Sequence, residues 1–113
     1  MDMDISTKSV DAVTVVEVSG FIDGKTAPAF QDKILQVMQE ADTILIDLGQ
    51  VGFMSSAGLR AMLVTHREVQ QSEGKTVVLA GLSEDIEDNM EATGFLSFFK
   101  VFGTIEAGLE ALS

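Results

Sequence analysis

The sequence predicts one α/β domain with a mixed, mostly parallel sheet that opens on a β-hairpin, in the order β-β-α-β-α-β-α-β-α. Three observations carry this. From about Thr26 onward, helical and strand-like segments alternate, which puts consecutive strands in parallel through helical crossovers. The first two strand-like segments are separated only by Asp11-Ala12, too little for a helix, so they pair as a hairpin. Ile44-Leu45-Ile46-Asp47-Leu48 is a dense apolar run, the mark of a strand covered on both faces. A chain of 113 residues suffices for one sizeable core and not for two, so residues 1–113 are expected to form a single domain.

The elements follow in order. Ile5 to Val10 and Val13 to Val18 are rich in Val, Ile and Thr and form the hairpin strands. Ser19 to Gly24 reads as a loop or strand end. A helix begins near Thr26, which serves as N-cap, with Pro28 in the first turn where a missing N–H costs little. Phe30, Ile34, Val37, Met38 and Ala41 recur at helical spacing along it. After the strand at 44–48, Gly49 to Met54 reads as a loop. A second helix runs from about Ser56 to Ser72, with Leu59, Met62, Leu63, His66, Val69 and Gln70 on one face and Gly74 as a C′ residue. Thr76 to Ala80 is a buried strand. Ser83 caps a third helix with acidic residues in its first turn, and Thr93-Gly94 ends it. Phe98 to Phe102 is a short strand, and Thr104 caps the last helix.

Composition removes most chemistries. There is no cysteine, so disulfides, thiolate metal sites and a cysteine nucleophile are excluded. The single histidine, His66, falls mid-helix on an apolar face and reads as a packing residue, so neither a histidine-rich metal site nor a catalytic triad is expected. No glycine-rich phosphate loop is present. No catalytic residue and no cofactor is predicted. The net charge of −11 repels phosphate backbones and anionic lipid, so any effect on transcription passes through another protein. No stretch approaches the ~20 apolar residues of a membrane span, and the acidic start Met-Asp-Met-Asp lacks the layout of a signal peptide. A cytoplasmic location without membrane insertion is the expectation. Phe95, Phe98, Phe99 and Phe102 are expected in the core, since a small domain must bury most of its phenylalanines.

One segment remains, Phe53-Met54-Ser55-Ser56-Ala57-Gly58-Leu59-Arg60, between a buried strand and a helix. In open α/β sheets the carboxyl ends of strands carry the binding sites. Ser55 and Ser56 stand at a helix N-terminus, where free N–H groups and the dipole favour negative charge. A phosphate there brings roughly −1.5 to −2 charges and three acceptor oxygens. The amides of Gly58 and Leu59 are the expected donors, with Gly58 leaving the approach unobstructed.

These stretches resemble the STAS family, in particular bacterial anti-sigma-factor antagonists. Ser19-Gly20-Phe21-Ile22-Asp23 with Thr26-Ala27 looks like the family's Gly-x-Leu-Asp segment entering its first helix. Ile44 to Leu48 with Val51 to Arg60 looks like its buried strand and phosphorylation loop, and Gly94-Phe95-Leu96 like a pair near the end of its third helix. The resemblance implies a non-enzymatic docking protein, with Ser56 the phospho-acceptor and Asp23, Ser55, Ser56, Ala57, Gly58, Leu59 and Arg60 the docking surface. It implies partner switching between an anti-sigma-factor serine kinase of the GHKL type, which is bound so that the sigma factor is freed, and a PP2C-type phosphatase that restores the serine. The family often has aspartate directly before the acceptor, and Ser55 stands there instead, which makes Ser55 a second candidate. Two rival functions remain: a STAS subunit docked constitutively on the ATPase of a lipid transport complex, and a sensor of a small ligand or nucleotide near Lys25 and Arg60.

Overall fold

The computed structural model describes residues 2–113, and its elements run β1 Met3–Val10, β2 Val13–Ile22, α1 Ala27–Glu40, β3 Thr43–Met54, α2 Ser56–Gln71, β4 Thr76–Ala80, α3 Glu84–Ala92, a 3-10 turn Leu96–Phe98, β5 Lys100–Phe102 and α4 Ile105–Leu112. The five strands form one sheet in sequence order; β1 and β2 are antiparallel, and every later pair is parallel. The predicted mixed sheet and element order are therefore present. Asp11, at φ 54°, makes the two-residue hairpin turn possible, a conformation that aspartate tolerates better than most residues.

Strand alternation divides the core. Val16, Val18, Ile44, Ile46, Leu48, Val77 and Leu79 face α1, α2 and α3, which supply Phe30, Ile34, Leu59, Met62, Ile86 and Met90 among others. Val13, Val15, Leu45, Val78 and Ala80 face the other way and meet Ile105, Leu109 and Leu112 of α4. Gly108 lets α4 sit close, since a Cβ there would lie 2.6 Å from Leu45 Cδ1.

The largest correction concerns Gly49 to Met54, which continue β3 and do not form a loop. Two irregularities break the alternation that the sequence should have shown: Glu17 and Ser19 of β2 face Asp47 and Gln50, and Gly20 and Phe21 face Val51 and Phe53. Each adds one residue to β3, as β-bulges do. The inward residues then fall at intervals of three, Leu48, Val51 and Met54, all buried. β2 runs on to Ile22, so of the two readings of Ser19 to Gly24 it is the strand end that is present up to that residue.

Smaller corrections have local causes. Thr26 occupies the N-cap position of α1 but its side chain does not cap the helix; the hydroxyl donates to the Phe21 carbonyl at 2.7 Å and accepts from the Asp23 amide at 2.9 Å. Gln70 is exposed, and α2 buries Gly58, Leu59, Ala61, Met62 and Thr65. Gly74, at φ 76°, turns the chain two residues beyond the Ser72 cap. The segment read as a strand from Phe98 begins as a 3-10 turn; Phe95, Phe99 and Phe102 are half-buried and pack against the core as expected, while Phe98 is 38% exposed. His66 packs there, its ring stacked on Phe98 at 4.5 Å. Ser83 and Thr104 cap α3 and α4 as expected, accepting from the Ile86 and Ala107 amides.

Candidate functional site

The ends of β2 and β3 are joined where the site lies. Ile22 pairs with Met54, and the Ser55 amide donates to the Ile22 carbonyl at 2.9 Å. One residue beyond this junction stand Asp23 on one side and Ser56 on the other. The sheet thereby brings together two segments 33 positions apart in sequence.

The two serines differ. Ser55 is the N-cap of α2: half-buried, with its Oγ accepting from the Ala57 amide at 3.2 Å. Ser56 is the first residue of the helix, exposed, and its hydroxyl has no hydrogen-bond partner among the described residues. Replacing Ser55 by alanine is expected to cost about 1 kcal/mol, read by denaturant unfolding, because a first-turn amide loses its acceptor.

The first-turn amides are not distributed as the sequence suggested. The Leu59 amide is already committed to the Ser55 carbonyl at 3.0 Å, so it is not a free donor. The amides of Ser56 and Gly58 have no acceptor among the described residues, as expected for a helix start. Gly58 and Leu59 also face inward and offer a partner no side-chain surface. A Cβ on Gly58 would lie 2.6 Å from Met54 Cγ and 3.1 Å from the Ile22 carbonyl oxygen. The glycine therefore seats α2 on the junction of β2 and β3; it does not clear a path for phosphate. Ala57 is half-buried and Arg60 exposed, and both line a groove with Gly24, Ala27, Pro28, Gln31 and Asp32 between α1 and α2.

Asp23 has its own task. Its Oδ1 accepts from the Lys25 amide at 2.9 Å and the Thr26 amide at 3.2 Å, closing the turn into α1. The hydrogen bond from the Lys25 amide, helped by those from Thr26, holds the carboxyl below its usual 3.8 against a smaller opposing effect of burial. A depressed pKa contributes stability above the unfolded value and loses it as pH falls through the folded one. The Asp23 carboxyl signal is thus expected to titrate below 3.8 in an NMR pH series, with the 23–26 turn loosening only in that acid range.

Phe53 was not singled out by the sequence. It is 47% exposed, beside the Ser55 cap, with its ring 5.7 Å from that of Phe21. The sequence places it in a loop over Gly49 to Met54, whereas the bulges in β3 set it on the exposed side of the strand.

A five-stranded mixed sheet opened by a hairpin, with a serine-capped helix rising from the joined ends of its second and third strands, defines the class. The chain belongs to the STAS domain family, whose model matches residues 4–108. Among its relatives is the anti-sigma-B factor antagonist of Bacillus subtilis, 24% identical over 110 residues, covering 97% of this chain and all of that protein. The crystal structure of an anti-sigma factor antagonist from Mycobacterium paratuberculosis superposes with a TM-score of 0.89 at 27% identity, covering 97% of this chain and 93% of that one. A sulfate transporter family protein from Wolinella succinogenes shares the fold at 18% identity and a TM-score of 0.73, over 86% of this chain and 81% of that one. Among the described residues, no helix is long and apolar enough to cross a membrane, and no group of acidic or histidine side chains could hold a metal ion.

Proposed function

We propose that this chain is an anti-sigma-factor antagonist. It docks through the surface around Ser56 onto an anti-sigma-factor serine kinase of the GHKL type, so that the sigma factor is freed. The kinase transfers the γ-phosphoryl group of ATP to Ser56: an oxygen–phosphorus bond forms at Oγ, the bond to the β-phosphate oxygen breaks, ADP leaves and the hydroxyl proton is lost. A PP2C-type phosphatase hydrolyses the ester and restores docking. The chain supplies the acceptor and the surface and catalyses neither step.

The observation that carries this reading is the exposed, unbonded Ser56 hydroxyl at the start of α2, beside the Asp23 turn. The helix start tolerates a phosphate, because the dipole and the free Ser56 and Gly58 amides favour negative charge. The fold therefore survives modification while the surface gains negative charge locally. In a chain of net charge −11, added negative charge at a docking face opposes a partner through repulsion and desolvation.

Affinity purification with the tagged chain tests this, with Ser56 phosphorylation followed on addition of ATP. The expected partner is a kinase that binds the unmodified chain and releases the phosphorylated one. Recovery instead of a membrane-transport ATPase, bound equally with and without ATP, would favour a constitutive docking subunit.

A further inference from the structure

Beyond Asp47, β3 is paired with a strand on one side only among the described residues. β4 pairs with it from Thr43 to Asp47, whereas β2 accompanies it to Met54. Its last residues thus present a free strand edge, and α3 lies across from it. Gly52, Phe53, Met54, Asp85, Ile86 and Asn89 line the groove between them. Phe53 stands 47% exposed in this lining and is held from behind by Phe21. A Cβ on Gly52 would press on the Phe21 ring at 3.3 Å, so the glycine preserves that support. A large aromatic side chain fixed in an exposed position is the type that anchors protein interfaces.

Among the described residues, the one charged side chain lining the groove is acidic. Asp85 lines it, and Glu84, Glu87 and Asp88 lie on the same short helix, all exposed and in no ion pair among the described residues. Among the described residues, no lysine or arginine lines it. A second copy of this chain is a poor occupant, because two molecules of charge −11 repel. A free strand edge takes an extended segment whose side chains alternate between two sides. We infer that this groove docks an extended segment of a partner protein in which apolar side chains, set against Phe53, alternate with lysine or arginine set beside Asp85. The contact is separate from the Ser56 switch and would add specificity for a basic partner to the same end of the sheet.

The full chain, labelled with nitrogen-15, is titrated with an acetylated hexapeptide of alternating leucine and lysine, and in parallel with one of alternating leucine and glutamate. Saturable shifts are expected at the amides of Gly52 to Met54 and Asp85 to Asn89 with the lysine peptide and not with the glutamate peptide. Phe53→Ala and Asp85→Lys should each weaken that binding roughly tenfold, the scale of an interface anchor; Asp85→Lys puts a positive charge in the first turn of α3, so it should also lower the melting temperature by roughly a few degrees while the chain stays folded. Asp85→Lys replaces an exposed side chain, so it reads the groove even if Phe53→Ala disturbs the strand. Shifts that fall elsewhere, do not saturate, or survive both substitutions overturn the inference, as would concentration-dependent shifts in the groove without peptide, which would assign it to self-association. A chain that binds and releases a kinase through Ser56 while its groove ignores the lysine peptide loses this inference alone. A groove that binds the peptide in a chain without Ser56 phosphorylation loses only the switch.

Discussion

Ser56→Asp is expected to weaken docking onto the kinase by on the order of 100-fold, because placing like charges at an interface costs several kcal/mol and each 1.4 kcal/mol is tenfold. Stability should not fall. The cap of α2 is Ser55, so no capping bond is lost at Ser56, and a negative charge in the first turn of a helix is favourable by about 0.3–1 kcal/mol. Ser56→Ala should retain full docking and resist phosphorylation, and for the same reason should cost almost no stability. Isothermal titration with the recovered kinase, together with thermal melts of both variants, checks this. An unfolded Ser56→Asp variant, or one that binds as tightly as the parent, would contradict the account.

Gly58→Val is the second large effect, and it acts on the fold. The site rests on α2 sitting directly on the Ile22–Met54 junction, where even one added carbon meets Met54 at 2.6 Å and Ile22 Cγ2 at 3.0 Å. Valine brings three carbons into that contact. Overpacking of this kind costs about 2–3 kcal/mol, which for a domain of this size lowers the melting temperature by roughly 10 °C. Docking should weaken with it, since displacing α2 moves Ser56 relative to Asp23. Alanine at the same position gains up to about 1 kcal/mol of helix propensity, so Gly58→Ala should be milder. A Gly58→Val variant with unchanged melting would mean that α2 is not seated as described.

The sequence carried the element order because its signals there are local. The two-residue gap at Asp11-Ala12 forces a hairpin, and the serine and threonine caps at Ser83 and Thr104 mark helix starts through bonds spanning three residues. It concealed the end of β3 because the bulges change the inward spacing from two to three, leaving Gly49, Gln50, Gly52 and Phe53 to read as a polar and glycine-rich loop. The same bulges hid Phe53 as a surface residue. Ser56 and Asp23 were legible as candidates, yet their differences from Ser55 and Thr26 were not: which serine caps, and whether Asp23 or Thr26 holds the α1 turn, depend on hydrogen bonds that only the joined strand ends fix. The inward direction of Gly58 likewise follows from the close approach of α2 to Ile22, a tertiary contact with no local sign.

The most direct measurement is intact-mass and peptide mass spectrometry of the protein purified from its own cells, with and without phosphatase treatment. The account predicts a single phosphate on Ser56, removed by the phosphatase, with Ser55 unmodified. No phosphate on Ser56 under any growth condition, or one carried on Ser55, would contradict the proposed switch.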